Sequence, residues 1–206
     1  MDTESAAWET AYRHKRALWA ESSVSLPEMT PGARVLELGC GNAGAFASLI
    51  KKGYDAIALD FSLTATQAAQ AVLRDQEKGN ALLADARSIP LLPSSCDMVI
   101  ARHIIGHMKE PDRTGIAREI RRIKKPDGLV IFTGFSREDF RYNRGTCLEE
   151  GTFLRGTGIS THYFTEDEVR SLFAPLSCRG ITTCRWEIKI RGKQYPRAEI
   201  HAVFSQ

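Results

Sequence analysis

Short apolar segments alternate with amphipathic segments from Arg34 onward. The apolar segments read RVLEL, AIAL, ALLA, MVIA and LVIFT. This alternation is typical of a parallel sheet with helices on both faces. Two further strands, about 182–190 and 198–204, are separated by Arg191 to Pro196 and predict an antiparallel hairpin. We therefore predict a doubly wound, Rossmann-like α/β fold with a seven-stranded, mostly parallel sheet and a C-terminal antiparallel hairpin.

The segments between the strands predict helices. Apolar residues at helical spacing place the first over 42–52, and Ser62 can cap the second. A third is predicted to open after Pro111-Asp112 and to end at the turn residues Pro126-Asp127-Gly128. The sequence Thr165-Glu-Asp-Glu168 is a capping box and predicts one more helix start.

Two segments lie outside this alternation. Residues 136–163 are rich in Gly, Arg and Thr and show no sustained period, so we predict an acceptor-side loop or lid. Residues 1–30 include Trp8, Tyr12 and Trp19 and predict a helical cap over the mouth of the sheet. A chain of 206 residues needs only one core, so residues 1–206 are predicted to form a single domain.

Composition narrows the class of protein. The 43% hydrophobic and 26% charged residues are typical of a soluble globular chain. The 5 cysteines are odd in number and form no CxxC pair or Cys/His cluster with zinc spacing, so we expect reduced thiols and no metal. No signal-peptide pattern or membrane-length apolar run is present. We therefore predict a cytoplasmic protein that does not engage membranes.

A glycine-rich turn follows the first strand. It reads Glu37-Leu-Gly39-Cys40-Gly41-Asn-Ala-Gly44 and leads into the first helix. Glycines at this place let the backbone approach a nucleoside at the carboxyl edge of the sheet. The pattern alone admits NAD as readily as any other nucleoside cofactor.

Acidic residues at the next strand ends separate the cofactors. Asp60 follows the second strand and can accept hydrogen bonds from ribose hydroxyls of either cofactor. Asp85 follows the third strand, where an acceptor suits the adenine amino group. Together with Glu37, and with a terminal hairpin foreign to the usual dinucleotide domain, these acids favour S-adenosylmethionine. An NAD-dependent oxidoreductase and a non-catalytic nucleoside-binding module stay as alternatives.

Four segments resemble the successive motifs of class I S-adenosylmethionine-dependent methyltransferases. They read VLELGCGNAG, ALDFS, LLADA and CDMVIARHIIGHM. The resemblance implies a transferase that carries out methylation with S-adenosyl-L-methionine. The cofactor-binding residues that it implies are Glu37, Gly39, Cys40, Gly41, Asp60, Phe61, Asp85, Ala86 and Arg102.

The C-terminal half resembles a narrower group. GFSREDFRYNRGTCLEEGTFLRGTGISTHYFTEDEV, followed by IRGKQ, is similar to the tRNA 3-methylcytidine methyltransferases. LLADARSIPLLPSSCD, in contrast, resembles small-molecule methyltransferases. The acceptor is therefore expected to be an RNA base, with a slight lean to tRNA cytidine, or alternatively a small metabolite. The sequence gives no indication of partner proteins.

The acceptor decides which residues must act chemically. A ring nitrogen attacks the methyl group with its own lone pair, whereas a hydroxyl or thiol needs a base. His103 and His107 are the candidate bases, with a packed structural histidine as the alternative for each. The candidate acceptor-binding residues are Tyr12, Arg141, Arg155, His162 and Tyr163. Inward packing is the alternative for His162 and Tyr163, and ion pairs with neighbouring acids for the two arginines.

Positive charge is concentrated in two places, although 28 Lys and Arg against 25 Asp and Glu leave the whole chain only mildly basic. The first cluster comprises Arg118, Arg121, Arg122, Lys124 and Lys125, and the second comprises Arg185, Lys189, Arg191, Lys193 and Arg197. We predict that both contact RNA phosphates beside the pocket mouth, the alternative being solvated protein faces.

Overall fold

The protein is described here by a computed structural model. It describes residues 3–14, 26–74, 76 and 78–206. Trp19, predicted to belong to the N-terminal cap, lies outside these residues. The helices are α1 (Thr3–His14), α2 (Gly44–Lys51), α3 (Leu63–Val72), α4 (Glu110–Ile123) and α5 (Glu166–Phe173). The strands are β1 (Arg34–Leu38), β2 (Asp55–Asp60), β3 (Asn80–Leu83), β4 (Cys96–Arg102), β5 (Lys124–Phe135), β6 (Thr146–Glu149), β7 (Thr152–Leu154), β8 (Ser160–His162), β9 (Ser177–Ile190) and β10 (Lys193–Ser205).

The main sheet has seven strands in the order β3-β2-β1-β4-β5-β10-β9. Strands β1 to β5 pair in parallel, and β10 runs antiparallel to both β5 and β9. The predicted fold, a mostly parallel sheet that ends in an antiparallel hairpin, is confirmed. All carboxyl ends of the parallel strands therefore meet at one edge of the sheet.

Helices cover both faces of this sheet. On one face, Phe46 and Leu49 of α2 pack with Ala65 of α3. On the other face, Ile116 of α4 and Phe173 of α5 are fully buried. Within the described ranges no helix, the longest being the 14-residue α4, has the length and apolar character to cross a bilayer.

Two predicted helix caps form as the sequence indicates. The Ser62 side chain accepts from the Ala65 amide at 3.2 Å and starts α3. Thr165 and Glu168 make the reciprocal hydrogen bonds of a capping box at the start of α5. Each cap satisfies backbone donors that a helix N-terminus leaves without a partner.

Two predicted boundaries were wrong. Helix α4 starts at Glu110, before Pro111, because proline is tolerated in the first helical turn. The residues 126–128, predicted as a turn, lie within β5, where the pairing shifts from Cys96 opposite Lys124 to Met98 opposite Leu129. Pro126 and Gly128, which indicated a turn, therefore lie in an irregular stretch of this strand.

The hairpin connection was also predicted too long. Only Arg191 and Gly192 separate the strands, and both have left-handed φ angles, 48° and 81°. Such a two-residue turn matches the twist of long antiparallel strands. Residues 193–196, expected in the loop, pair instead with β9.

The segment 136–163 is more regular than its composition suggests. Strands β6, β7 and β8 form a small antiparallel sheet within it. Phe135, Phe153 and Tyr163 form a separate apolar cluster that attaches this sheet to the end of β5. The expectation of a segment without secondary structure is therefore wrong, and its role as a lid stays a prediction.

Candidate active site

A pocket of about 340 Å³ lies at the carboxyl edge of the parallel strands. Every residue predicted to bind the cofactor lines it, from the β1 turn to Arg102 at the end of β4. The candidate bases His103 and His107 and the candidate acceptor residue Tyr12 line it as well. The structure thus brings together residues from the N-terminal helix, the strand ends and the C-terminal hairpin.

The β1 turn needs glycine at two positions. Gly39 and Gly41 have φ angles of 70° and 51°, which side chains other than glycine adopt only with strain. A Cβ atom on Gly39 would lie 3.2 Å from Ile104, and one on Gly41 would lie 3.5 Å from the ring of Tyr12. Cys40, between them, directs its thiol to the Ala65 carbonyl at 3.9 Å. Backbone therefore forms this wall of the pocket.

Glu37 is a buried carboxylate whose two oxygens have different contacts. Arg102 donates to its Oε1 atom at 3.2 Å, while Oε2 has no hydrogen-bond partner among the described residues. Burial raises the pKa of Glu37 to about 7 although Arg102 opposes the shift. Buried polar atoms rarely lack a partner in a folded protein. A cationic donor, such as the ammonium group of a methionine moiety, suits this oxygen.

Asp60 joins the β1 turn to the end of β2. Its carboxylate accepts from the amides of Gly41 at 3.1 Å and Ser62 at 2.9 Å. Burial raises the pKa of Asp60, and these amide hydrogen bonds oppose the rise. Phe61 follows directly and also lines the pocket. The carboxylate is therefore held in a fixed position at the pocket wall, where ribose hydroxyls could reach its remaining lone pairs.

Asp85 and Ala86 lie beyond the end of β3. Arg87 holds the Asp85 carboxylate at 2.5 Å and reaches Asp112 at 3.2 Å. The hydrogen bond from Arg87 lowers the pKa of Asp85. Asp85 is thus an ionised acceptor at the pocket rim, with its orientation set by a neighbouring arginine.

Helix α1 closes one side of the pocket. Glu9 accepts hydrogen bonds from the hydroxyl groups of Ser62, at 2.6 Å, and Thr64, at the start of α3. Trp8 stacks on Tyr12 with ring centroids 5.6 Å apart. Helix α1 therefore lies over the glycine turn, and the cap predicted over 1–30, of which only 3–14 and 26–30 are described, stays a prediction.

The two candidate bases have different surroundings. His107 donates from Nδ1 to the Ser160 carbonyl at 2.7 Å, and burial lowers its pKa to about 4. It is therefore neutral at physiological pH and a weak base. His103 has a left-handed φ of 57°, and its Nε2 atom lies 3.1 Å from Glu199.

The hairpin supplies a wall that sequence reasoning missed. Trp186, Ile188, Arg197 and Glu199 line the pocket together with Phe135 at the end of β5. Trp186 pairs with Arg197 across the hairpin, and Glu199 follows two positions later on the same face. The alternation of these residues was a readable signal, since side chains two positions apart in a strand share a face.

Glu199 lies between two histidines. Its carboxylate is 2.6 Å from Nε2 of His201 and 3.1 Å from Nε2 of His103. Burial alone would raise the pKa of Glu199, but the hydrogen bonds from both histidines outweigh it and lower the pKa to about 2. The acceptor side of the pocket therefore contains a fixed negative charge.

Comparison with known families decides the class of the domain. Residues 36–132, which include the glycine turn, Asp60, Asp85 and His103, match the family model described as methyltransferase domain. This region is a methyltransferase domain. The predicted S-adenosylmethionine-dependent methyltransferase is thereby confirmed at the level of the domain, and the oxidoreductase alternative is not supported.

Solved structures share the fold of the methyltransferase domain. A SAM-dependent methyltransferase from Methanosarcina mazei superposes with a TM-score of 0.71 at 22% identity, over 86% of this chain and 94% of that one. A 1,6-didemethyltoxoflavin-N1-methyltransferase from Burkholderia thailandensis was solved with 1,6-didemethyltoxoflavin and S-adenosylhomocysteine. It superposes with a TM-score of 0.71 at 14% identity, over 99% of this chain and 88% of that one. At these identities the similarity shows the fold.

A relative by sequence is the tRNA N(3)-cytidine methyltransferase METTL2 of Gallus gallus. It is 27% identical over 165 residues, which cover 74% of this chain and 45% of the relative. The chain therefore spans about half the length of the curated relatives it matches.

Four predicted acceptor residues are not among the residues that line the pocket. His162 is buried and hydrogen-bonds to Glu168 at 2.6 Å and Thr152 at 2.7 Å. Tyr163 packs in the cluster beside Phe135. Arg141 lies over the Phe140 ring at 5.4 Å, and Arg155 is exposed. None of these four side chains lines the pocket, so their role in binding the acceptor stays a prediction.

The two basic clusters lie at opposite ends of the sheet. Lys124 and Lys125 start β5 at the amino edge, so the first cluster is far from the pocket, and its prediction as a flanking surface is wrong. Arg122 and Lys125 in addition bind Glu119 and Asp97. The second cluster is on the hairpin, whose residue Glu199 pairs with the last residue of β5. Residues 193–198 therefore continue past the carboxyl edge, beside the pocket.

Proposed function

We propose that this chain is an S-adenosylmethionine-dependent methyltransferase that methylates a ring nitrogen of cytidine in tRNA. The observation that carries the RNA assignment is the hairpin, which extends past the pocket and presents basic residues. The tRNA cytidine methyltransferases among the relatives support the same substrate class. A small-molecule acceptor stays the second candidate, because one structural neighbour was solved with such an acceptor bound.

The cofactor half of the pocket suits S-adenosylmethionine. Glu37 would hold the amino group of its methionine moiety, Asp60 the ribose, and Asp85 with Ala86 the adenine. The cofactor supplies a methyl group on a positively charged sulfur. The contribution of the protein is to align this methyl group with the acceptor and to exclude water. Helix α1, with Trp8 and Tyr12 in the pocket wall, serves that exclusion.

The hairpin has the length and charge to follow a nucleic acid backbone. Residues 193–198 extend beyond β5, which at about 3.3 Å per residue corresponds to roughly 20 Å. Loop amides support the base of this extension, since Phe140 donates to the Pro196 carbonyl at 3.0 Å. Lys189, Arg191 and Lys193 are exposed along it. Clustered Lys and Arg side chains suit a phosphate backbone better than a small neutral metabolite.

The surroundings of His107 favour a ring nitrogen over a hydroxyl acceptor. A hydroxyl must lose its proton, and the best general bases have a pKa near the working pH. The pKa of His107, about 4, makes it a weak base. His103 donates from Nε2 to Glu199 at 3.1 Å, so only its other ring nitrogen could accept a proton. A neutral ring nitrogen needs no such base, because its lone pair is already available.

Nucleoside mass spectrometry tests the proposal. Purified protein is incubated with tRNA and with S-adenosylmethionine carrying a deuterated methyl group, and the digested nucleosides are measured. We expect deuterated 3-methylcytidine and an equal amount of S-adenosylhomocysteine. Deuterium recovered only in a metabolite extract would favour the small-molecule candidate. An absence of turnover with both acceptor pools would favour the non-catalytic binding module. Transfer RNA from cells lacking the protein should in parallel lose the same nucleoside.

Four further predictions belong with this proposal. Residues 1–206 act as one domain, with residues 136–163 as the acceptor-side lid. The ion pair between Arg137 and Glu150, at 3.1 Å, ties the start of that lid to its middle. The cytoplasmic location and the absence of membrane engagement rest on the sequence and stay predictions.

A further inference from the structure

The acceptor wall contains a negative and a positive side chain side by side. Arg197 and Glu199 lie two positions apart on the inward face of β10, and both line the pocket. Each is buried, with 8% and 6% of its surface exposed. Buried charges persist only where other groups hold them in place. These two are held by different partners.

Glu199 is held by histidine donors. His201 and His103 bind its two oxygens, at 2.6 Å to Oε1 and 3.1 Å to Oε2. A carboxylate offers about four lone-pair sites, so two acceptor directions stay available. Glu199 can therefore accept a hydrogen bond from a ligand without losing its own partners.

Arg197 is held by a carboxylate and by aromatic rings. Its Nε atom donates to Asp139 at 2.5 Å. Its guanidinium carbon lies 4.9 Å from the centre of the Phe135 ring and 5.3 Å from that of Trp186. The guanidinium is thereby held close to two aromatic rings at the pocket wall. It offers donors where Glu199 offers acceptors.

This pair of charges matches one edge of cytosine. That edge presents an amine, then a ring nitrogen with a lone pair, then a carbonyl. We propose that Glu199 accepts from the amine and Arg197 donates to the carbonyl, so that the ring nitrogen between them faces the methyl group. The inference rests on the proposed function and names the residues that select the base. Uracil presents a carbonyl where cytosine has its amine, and a carbonyl facing Glu199 would be repelled.

The charge of Glu199 also suits the reaction. The lone pair of the ring nitrogen forms the new bond to the methyl carbon, and the carbon–sulfur bond breaks with its electron pair going to sulfur. Positive charge moves from sulfur to the ring and its amine, and no proton is transferred in the step. A fixed carboxylate beside the amine stabilises this charge as it develops, and such an interaction raises kcat rather than lowering KM.

Glu199→Gln tests the inference because it keeps the shape and removes the charge. With tRNA and deuterated S-adenosylmethionine, we expect kcat/KM for 3-methylcytidine to fall about 10²-fold, mainly in kcat, as for loss of a hydrogen bond to a charged group. The ratio of 3-methylcytidine to 3-methyluridine should also fall. Affinity for S-adenosylhomocysteine should stay within about twofold. Asp127→Asn is the matched control, an exposed acidic residue at the opposite, amino edge of the sheet, and should behave as wild type.

The variant Glu199→Asp separates the charge of Glu199 from its exact shape. Glu199→Asp retains the charge, so it should keep the preference for cytidine even if its rate is lower. If Glu199→Gln matches wild type in rate and in base preference, the inference is overturned while the proposed function stands. If the wild type methylates only oxygen, sulfur or a small metabolite, both are overturned together.

Discussion

The two halves of the pocket are built in different ways. The cofactor half comes from turns that directly follow β1, β2 and β3, so each residue is placed by its own strand end. The acceptor half joins His103, at the end of β4, to Glu199, almost one hundred residues later on the last strand. Only the register of β10 on β5 brings those two together. Local sequence motifs therefore specify the cofactor half, and tertiary pairing specifies the acceptor half.

Among changes to the cofactor half of the pocket, removing the Asp60 carboxylate should reduce cofactor affinity most. Asp60→Ala is expected to weaken S-adenosylmethionine binding by about 1.5 to 3 kcal/mol, the usual range for hydrogen bonds to a charged acceptor. Isothermal titration calorimetry measures this change. Asp60→Asn serves as a second variant in case the amide hydrogen bonds of Gly41 and Ser62 are needed for folding. An unchanged dissociation constant in a folded variant would remove Asp60 from the site.

The pH dependence of cofactor binding should report on Glu37. Because burial raises the pKa of Glu37 to about 7, part of the free protein carries it protonated at neutral pH. An ammonium group binds the ionised form, so affinity should rise with pH until about 7 and then level off. Below that pH the loss should approach tenfold per unit. Calorimetry with S-adenosylhomocysteine between pH 5.5 and 8.5 measures the profile.

Glu37→Gln is the control for that profile. It should bind more weakly and show a flat dependence, while any slope it retains reports on Asp60, whose pKa burial also raises. A wild-type profile as flat as that of the variant would contradict the assignment of Glu37 to the amino group.

The two basic clusters allow a paired test of the RNA surface. Replacing Arg191 and Lys193 together by Ala should make the log-log salt slope of tRNA affinity shallower by about 1 to 2, since each duplex phosphate contact contributes about −0.9. Arg118→Ala with Lys125→Ala, at the opposite edge, should leave the slope unchanged. Filter binding from about 50 to 200 mM salt measures both. An equal effect of the two double variants would mean that the hairpin has no specific role.

His103→Asn should have the smallest effect if the acceptor is a ring nitrogen. We expect a rate loss below about tenfold, because no proton has to be removed. For a hydroxyl or thiol acceptor the same change should cost about 10² to 10⁴. Single-turnover kinetics distinguish these outcomes. Because His103 also holds Glu199, a loss in the larger range would exclude a ring nitrogen as the acceptor only if Glu199→Gln does not show the same loss.

The residues predicted from the sequence to bind the cofactor line the pocket, whereas most of those predicted to bind the acceptor do not. Strand ends, glycines and caps such as Ser62 and Thr165 depend on residues close in sequence, and they were predicted. His162 was read as an acceptor residue because it neighbours two aromatics, but it is buried and hydrogen-bonds to Glu168 and Thr152. Glu199 was missed because its significance depends on His103 and His201 being near. The contact with His103 leaves no local signature, whereas His201 lies two positions from Glu199 on the same face of the strand.

The hairpin also exposes a long strand at the border of the sheet. β9 is the outermost strand and runs for 14 residues, with its outer backbone groups facing solvent. Edges of this length favour aggregation by strand pairing between molecules, and charged side chains oppose it. Arg179, Arg185 and Lys189 are exposed along β9. We therefore expect the positive charge of this strand to oppose self-association, so that substitutions there would change self-association as well as the proposed affinity for RNA.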